Sequence, residues 1–259
     1  LRETADMAFA AEAAGRAIKE TGVDYAELHV SPGLLARHCP ADIGEILLAV
    51  HHGLAQVSGI RLRMIVDVVR HHSMALVDEI VAVVLELRQA AGIVALGLGG
   101  REETALLHLH APNFERAAAQ GLPIVAHAGE QSGPEDVAAC LNLLPVSRLG
   151  HGLSAIHDPS LVRRLAREQT PLELCLTSNL ALTGIGSVAA HPIHRFLDAG
   201  VPVILGTDDP AIFGTDLPRE FALLDQQGVD RSVLSAIAET AWRYAFDAPT
   251  VLAKVGVAT

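Results

Sequence analysis

The chain has 259 residues, of which 50% are hydrophobic and 19% are charged, and its formal net charge is −11. This length and composition predict a sizeable buried core, and no uncharged apolar stretch is long enough to predict a membrane span. The acidic balance argues against a nucleic-acid partner, because proteins that bind a phosphate backbone present clustered Lys and Arg.

The chain begins without Met, inside a helical pattern, LRETADMAFAAEAAGRAIKE. A charged helix at this position does not resemble a signal peptide, so we interpret the start as a chain entered partway through.

The three cysteines, Cys39, Cys140 and Cys175, lie far apart and form no C-x-x-C pair. That pattern indicates reduced thiols and predicts a cytoplasmic protein.

Short apolar runs alternate with amphipathic helical stretches, which predicts parallel β/α units. The predicted strands are residues 24–30, 60–69, 92–98, 123–128, 147–151, 171–176 and 201–207. The predicted helices between them include residues 112–120, 135–144, 161–168 and 191–199. Two of these helices end at a glycine, Gly121 or Gly200, that directly precedes the next strand, as helix C-termini commonly do.

The strand count indicates the fold class. Seven strands are one short of a closed parallel barrel, and no G-x-G-x-x-G motif follows the first strand to favour an open doubly wound sheet. We therefore predict an α/β protein with a (β/α)8 TIM-type barrel whose first strand is absent from this chain. No linker or shift in composition interrupts the sequence, so residues 1–259 are predicted to form a single barrel domain that contains strands 2 to 8.

Polar residues gather at the carboxyl ends of the last predicted strands. In a β/α barrel these ends meet on one face, so residues far apart in sequence share a single pocket. Each residue alone has an ordinary structural explanation, such as a hydrogen-bonded His or a Ser-Asn turn, but together they predict a site. The residues are His127, Glu130, His151, Ser178, Asn179, Asp208 and Asp209.

Four motifs in this order resemble the adenosine deaminase-like metal hydrolases of the amidohydrolase superfamily. They are VAHAGE (125–130), RLGHG (148–152), LELCLTSN (172–179) and LGTDDPAIFGT (205–215), with YAELHVSP (25–32) and GLGG (97–100) at earlier family positions. The resemblance covers essentially the whole chain. It implies a TIM-type barrel, one Zn²⁺ per subunit and a small-molecule purine substrate.

The resemblance also implies a role for each matching residue. His127 and Asp208 are expected to bind zinc, and Glu130 is expected to donate a proton to purine N1. His151 would orient the attacking water and help to take its proton. Asp209 would accept a hydrogen bond from N7, and the backbone of Gly100 would contact N3. Ser178 and Asn179 are expected to support these residues.

The implied reaction is the hydrolytic deamination of a 6-aminopurine nucleoside to the 6-oxopurine and ammonia. Zinc lowers the pKa of water to roughly 7, and protonation at N1 makes C6 electrophilic. Gly97 and Arg101 occupy places where adenosine-specific members tend to have acidic residues, which leaves adenosine, adenine and a larger nucleoside such as aminodeoxyfutalosine open. An AMP deaminase-like activity is less favoured, because phosphate recognition requires clustered Arg or Lys near the pocket.

The sequence departs from the family pattern at the metal. The family has an H-x-H pair on its first strand, and a catalytic zinc ordinarily takes three protein ligands. The pair His108 and His110 is predicted to lie in a loop before a helix that starts at Pro112, and not to bind metal. His29 is expected to be packed or paired, and the His51-His52 and His71-His72 doublets are not expected to chelate.

Two explanations of the missing pair remain. Either the chain is part of a longer protein, or the molecule lacks its first strand and is a catalytically silent homologue. The first is favoured because an unclosed barrel exposes strand edges, and because a silent protein has no chemical use for both Glu130 and His151. A reading frame that extends upstream through an H-x-H strand would decide between them.

Overall fold

The computed structural model of the protein describes residues 1–247. The chain forms two compact units, each built from parallel strands and helices. Unit 1 contains Leu1–Arg101 and Ala105–Ile124, and unit 2 contains Glu102–Thr104 and the described part of Val125–Ala248. The single domain over residues 1–259 stays a prediction, and its last part, 248–259, lies outside the described residues.

Unit 1 contains three parallel strands, and β2 is the central one. Tyr25 lies beside Arg61 in the first pair of strands, and Asp67 lies beside Gly97 in the second. The strands are β1 Tyr25–Val30, β2 Arg61–Val69 and β3 Ile93–Gly99, and the helices are α1 Thr4–Glu20, α2 Pro32–Leu35, α3 Ile43–Ala55, α4 Met74–Leu87 and α5 Leu107–Ala119.

Helix α3 shows how the sequence specifies the packing of unit 1. The helix is preceded by a capping box, in which Asp42 accepts a hydrogen bond from the N–H of Glu45 at 2.8 Å and Glu45 accepts one from the N–H of Asp42 at 3.1 Å. Ile46 and Leu47 on its apolar face are fully buried, and the helix packs against α1 and β2. Burying each of these side chains stabilises the fold by roughly 1.5–3 kcal/mol.

Unit 2 contains four parallel strands with short connecting helices. The strands are β4 Ile124–Ala128, β5 Arg148–His151, β6 Leu172–Leu174 and β7 Val203–Leu205, and the helices are α6 Pro134–Leu143, α7 Pro159–Glu168, α8 Leu176–Leu182, α9 Ile193–Asp198, α10 Pro210–Phe213, α11 Leu217–Asp225 and α12 Arg231–Tyr244. Three-residue and five-residue 3₁₀ helices occur at Thr104–Leu106, Leu153–His157 and Val188–Ala190. Consecutive strands of the unit pair in register, with His127 beside Gly150 and Glu173 beside Ile204.

A buried carboxylate fixes the connection between β7 and α11. Glu220 is fully buried, and it accepts hydrogen bonds from the hydroxyl of Thr215 at 2.6 Å, from the hydroxyl of Thr177 and from the N–H of Thr177 at 3.2 Å. A buried carboxylate is stable when several donors satisfy it. The contact joins the segment after β7 to the first turn of α8, and both segments carry predicted site residues.

The seven predicted strands are all present, each within two residues of its predicted ends. The predicted loop placement of His108 and His110 was wrong, because these residues lie inside α5 and not in a loop before Pro112. Leu107, His110 and Phe114 are buried with helical spacing, and that apolar face extends the helix N-terminally past Pro112. Residues two apart on a helix point in divergent directions, and His108 is exposed whereas His110 is buried.

The prediction for Leu176 was also wrong. The strand predicted at 171–176 ends at Leu174, and helix α8 begins at Leu176. The N–H of Asn179 donates to the carbonyl of Cys175 at 2.8 Å, which closes the first turn of this helix. Ser178 and Asn179 therefore lie on a helix and are fully buried.

Two observations bear on the environment of the protein. Among the described residues, no helix combines the length and the apolar character needed to cross a lipid bilayer. Cys39, Cys140 and Cys175 are all free and buried, in agreement with the predicted thiols. The cytoplasmic location stays a prediction.

Candidate active site

His127 lies on β4, and its ring has room because the neighbouring strand has a glycine beside it. Gly150 on β5 is the register partner of His127. A Cβ atom at position 150 would lie only 3.2 Å from Cδ2 of His127. The first glycine of the GHG motif therefore makes space for the imidazole that the resemblance assigns to zinc.

Glu130 follows β4 on a loop that a second carboxylate holds in place. Glu102 accepts hydrogen bonds from three successive backbone N–H groups, those of Glu130 at 3.0 Å, Gln131 at 3.0 Å and Ser132 at 2.8 Å. Burial alone would raise the pKa of Glu102, but the nearby Ser132 side chain and the hydrogen bonds from these N–H groups lower it. A carboxylate that accepts several N–H bonds is stabilised in its charged form. Glu102 therefore remains an anion beneath the loop.

The environment of Glu130 favours its protonated form. The side chain is only 13% exposed, and burial, followed by the negative charges of Asp208 and Glu102, raises its pKa to about 7. The hydrogen bond from Asn179 acts in the opposite direction. A carboxyl with a pKa near neutral can donate a proton at physiological pH, which is the chemistry that the resemblance implies for Glu130.

His151 ends β5 with its backbone in the left-handed region, at φ 60°. The side chain is 3% exposed, and its Nδ1 lies 3.6 Å from Oε1 of Glu130. Its ring centroid is 5.2 Å from that of His127. Burial, followed by the proximity of His127, lowers the pKa of His151. The imidazole is therefore neutral at physiological pH.

Asp208 and Asp209 follow β7, and both are exposed in the described structure. Asp208 has φ 53°, which is uncommon for a residue other than glycine. The buried hydroxyl of Ser178 donates a hydrogen bond to Oδ2 of Asp208, so the carboxylate has a fixed orientation. Asp209 precedes the short helix α10. The sequence prediction that Ser178 supports the site agrees with this contact.

Asn179 connects the acid and the imidazole of the site. Its Nδ2 lies 3.1 Å from Nδ1 of His151 and 3.5 Å from Oε1 of Glu130. Its Oδ1 accepts a hydrogen bond from the N–H of Cys175 at 3.2 Å and lies 3.3 Å from Nε2 of His191. The predicted supporting role of Asn179 agrees with these contacts.

The site contains a group of donors suited to a divalent metal. Ligand atoms of Glu130, His151 and Asp208 all lie within 4.8 Å of one another. Imidazole nitrogen and carboxylate oxygen are donors that zinc accepts, so the residues fit the ion that the resemblance implies. His127 stands outside this triplet but is next to His151. The assignment of His127 and Asp208 as the zinc ligands stays a prediction.

Unit 1 carries the remaining predicted residues. Gly100 follows β3 with φ 81°, and its contact with a purine stays a prediction. His29 is paired as expected, since its Nδ1 lies 3.0 Å from both carboxylate oxygens of Asp67. The same carboxylate occupies the space beside Gly97, where a Cβ atom would lie 1.8 Å from Oδ1 of Asp67.

Sequence reasoning missed two residues that hold the site together, Glu102 and His191. Glu102 lies in GLGGREE, and an acid just after a strand end was the signal that could have identified it. His191 was read only as the start of a helix. It precedes Pro192 and is 2% exposed, and a buried His near a predicted site was the signal that could have identified it.

Comparisons with known proteins agree with this architecture. The chain superimposes on adenine deaminase from Arthrobacter aurescens with a TM-score of 0.87 and 27% identity, covering 95% of this chain and 76% of that one. It superimposes on Arabidopsis ADAL complexed with IMP with a TM-score of 0.83 and 26% identity, covering 96% and 76%. The predicted α/β TIM-type fold is confirmed, and the described residues contain the seven strands that the sequence predicts.

The family follows from the sequence. A family model described as Adenosine deaminase matches residues 1–252. The chain belongs to the adenosine deaminase family.

Three curated relatives have nearly equal identity to the chain. It is 36% identical over 233 residues to aminodeoxyfutalosine deaminase of Streptomyces coelicolor, covering 88% of this chain and 60% of that protein. It is 35% identical over 209 residues to adenosine deaminase of Vibrio cholerae, covering 79% and 62%. It is 35% identical over 253 residues to adenine deaminase of Chelativorans sp., covering 95% and 76%. The chain thus spans about three fifths of the length of the first two relatives.

Proposed function

We propose that the protein catalyses the metal-dependent hydrolytic deamination of a 6-aminopurine, giving the 6-oxopurine and ammonia. The observation that carries this proposal is the triplet of Glu130, His151 and Asp208, whose ligand atoms lie within 4.8 Å of one another. Within it, Glu130 has a pKa of about 7 and His151 is neutral. A proton donor, a neutral imidazole and an anionic oxygen ligand therefore share one site.

Each residue of the site has a distinct task in this reaction. Asp208 and His127 would hold a zinc ion, which supplies Lewis acidity and lowers the pKa of water when bound. Glu130 donates its proton to N1 of the ring, so that C6 becomes electrophilic. His151 orients the attacking water. One proton of the water passes to the amino group, which leaves as ammonia, and the other returns to Glu130, so that the 6-oxopurine is formed.

The surroundings of Glu130 support its role as the acid. Glu102 stays ionised because its carboxylate accepts three backbone N–H bonds, and its charge helps to raise the pKa of Glu130. A catalytically silent homologue would have no use for a carboxyl held near neutrality beside a second carboxylate, because burying such groups destabilises a protein. We therefore favour the enzyme over a silent homologue.

The size of the substrate is a further part of the proposal. Asp209 is assigned to purine N7. Gly97 lacks a side chain because Asp67 fills the adjacent space, so an acidic residue at position 97 is sterically incompatible with this arrangement. Adenosine-specific members tend to have an acidic residue at this position. Its absence here favours aminodeoxyfutalosine or adenine over adenosine as the substrate. The relatives named for these three substrates have 36%, 35% and 35% identity, so identity does not choose among them.

An absorbance assay tests the proposed function. The zinc-loaded protein is incubated with adenine, adenosine, AMP and aminodeoxyfutalosine, and deamination is followed by the change in ultraviolet absorbance of the purine. We expect turnover of at least one non-phosphorylated compound, and its loss in Glu130→Gln at unchanged zinc content. Undiminished turnover in that variant would overturn the role of Glu130. Absence of turnover with all four compounds would favour the silent homologue.

A further inference from the structure

We propose that His191 and Asn179 are positioning residues that keep the neutral ring of His151 in one tautomer, with its proton on Nε2. The inference rests on the proposed function for its kinetic consequence, but the tautomer itself can be observed without any turnover. All of the residues involved lie in unit 2. They form a line of hydrogen bonds from the start of α9 to the site.

A backbone N–H group at the start of α9 determines which atoms donate and which accept in this series of hydrogen bonds. The N–H of Ile193 donates to Nδ1 of His191 at 3.1 Å. A backbone N–H can only donate, so Nδ1 of His191 must offer its lone pair. In a neutral imidazole the proton then resides on Nε2. Burial of His191 lowers its pKa to about 4, so the ring stays neutral at physiological pH.

A second backbone group sets the orientation of the Asn179 amide. The N–H of Cys175 lies 3.2 Å from Oδ1 of Asn179, and Nε2 of His191 lies 3.3 Å from the same oxygen. Both neighbours are donors, so the oxygen must face them and the NH₂ group must face the other way. A flipped amide would place its NH₂ against two donors and leave buried groups unsatisfied, which is unfavourable.

The orientation of Asn179 determines the state of His151. The NH₂ group of Asn179 lies 3.1 Å from Nδ1 of His151, and it donates there because an amide NH₂ has no lone pair to accept with. Nδ1 of His151 is therefore the acceptor, and Nε2 carries the proton. The same NH₂ group lies 3.5 Å from Oε1 of Glu130. His191 thus acts on the acid and the imidazole of the site through one amide, without touching either residue.

This arrangement refines the role predicted for His151. A neutral ring with its proton on Nε2 can orient a water molecule by donating a hydrogen bond, but it cannot take a proton at that nitrogen. The ring would need the opposite tautomer to do so. The orientation of water by donation is therefore the part of the predicted role that the hydrogen bonds support.

Nuclear magnetic resonance of [¹⁵N]histidine-labelled protein tests the tautomer directly. Signals of His151 are assigned by their loss in His151→Asn. We expect the proton on Nε2 in the wild-type protein and in the control His194→Gln, which removes an imidazole from the first turn of α9. In Asn179→Asp, which has nearly the same shape, the introduced oxygen accepts instead of donating, so we expect the proton of His151 on Nδ1. A wild-type His151 with its proton on Nδ1 would overturn the proposal.

Kinetics test the consequence for catalysis. His191→Phe keeps a ring but removes both nitrogens, and we expect kcat to fall about 10- to 100-fold, as for other supporting partners of active-site groups, with little change in KM. His191→Gln returns an N–H near the position of Nε2 and should recover most of that loss. Equal kcat in His191→Phe and wild type, with the tautomer unchanged, would contradict the proposal. Absent turnover in the wild type would contradict the proposed function alone, since the tautomer is read separately.

Discussion

The carboxylate of Glu102 accepts a hydrogen bond from the backbone N–H of Glu130 at 3.0 Å, and it accepts two more from the next two residues of the loop. One carboxylate thus places the proposed acid and, through its charge, helps to raise the pKa of that acid. The position and the proton affinity of Glu130 therefore depend on the same neighbour, 28 residues away in the sequence.

Replacing Glu102 should separate the two effects. Glu102→Ala leaves three N–H groups without their acceptor, so we expect the free energy of unfolding to fall by about 2–3 kcal/mol. Glu102→Gln keeps an oxygen acceptor but removes the charge, so it should destabilise less while still lowering the pKa of Glu130. Urea unfolding measures the loss in the free energy of unfolding. Glu115→Gln, at an exposed position of α5, is the control, and equal stability of Glu102→Ala and wild type would contradict the assigned role.

The raised pKa of Glu130 predicts a pH-dependent stability in chelator-treated protein. The carboxyl has a pKa of about 7 in the folded state against 4.5 for an unperturbed glutamate, so the folded state binds more protons between these two values. The contribution of this group to the free energy of unfolding therefore falls as the pH rises from 4.5 to 7, by at most about 3–4 kcal/mol. Glu130→Gln removes this dependence.

Denaturant unfolding at several pH values measures this difference. The variant and the wild type should differ by a constant amount below pH 4.5, after which the variant gains stability relative to the wild type up to pH 7. Above that value the difference should again be constant. A relative stability that does not change with pH would show that Glu130 titrates normally in the folded protein.

Substitution of Asp208 or Asp209 by Ala should affect zinc binding and purine affinity differently. Asp208→Ala should lose bound zinc, because the carboxylate oriented by Ser178 is a proposed ligand. Asp209→Ala should keep the zinc and lose affinity for purine, because its proposed partner is N7. Metal analysis and purine titration of the two matched variants distinguish these results, and reversed outcomes would exchange the two assignments.

Ser178→Ala provides an intermediate case for the same site. The variant retains both carboxylates but removes the hydrogen bond to Oδ2 of Asp208. Loss of such a supporting partner typically lowers metal affinity by about 10- to 100-fold. A competition titration with a chromophoric chelator measures that affinity, and an affinity equal to wild type would mean that Ser178 does not orient a zinc ligand.

The strand-end residues were predictable, whereas their supports were not. Alternation of apolar runs and helices gave all seven strands, and parallel strands bring His127, His151 and Asp208 to the same edge of unit 2. The residues that support the site are placed by contacts between separate segments of the chain, and no local sequence pattern encodes these contacts. Asn179 and His191 meet across 12 residues, and Glu102 meets Glu130 through backbone groups. Helix α5 starts at Leu107 and not at the predicted Pro112, because its buried face extends N-terminally past the proline.

The close packing of Gly97 against Asp67 predicts that substitutions at the two positions have coupled effects on the free energy of unfolding. A Cβ atom at position 97 would lie 1.8 Å from Oδ1 of Asp67, so Gly97→Ala must displace that carboxylate and break its contacts with Nδ1 of His29. We expect a loss of about 1–3 kcal/mol in the free energy of unfolding, as for other overpacked sites. In a protein that already carries Asp67→Gly, the obstructing carboxylate is absent and only Cγ2 of Ile65, at 3.2 Å, stays close to the added Cβ, so Gly97→Ala should cost much less stability.

A double-mutant cycle measured by urea unfolding gives the coupling energy between the two positions. Gly121→Ala is a poor control because φ at that position is 74°, whereas Gly186→Ala has a Cβ position with nothing within 4 Å and should leave stability unchanged. Additive effects of Gly97→Ala and Asp67→Gly would contradict the steric coupling. The same variants should be assayed with adenine, adenosine and aminodeoxyfutalosine, because a change in their relative kcat/KM would tie this pair of residues to substrate choice.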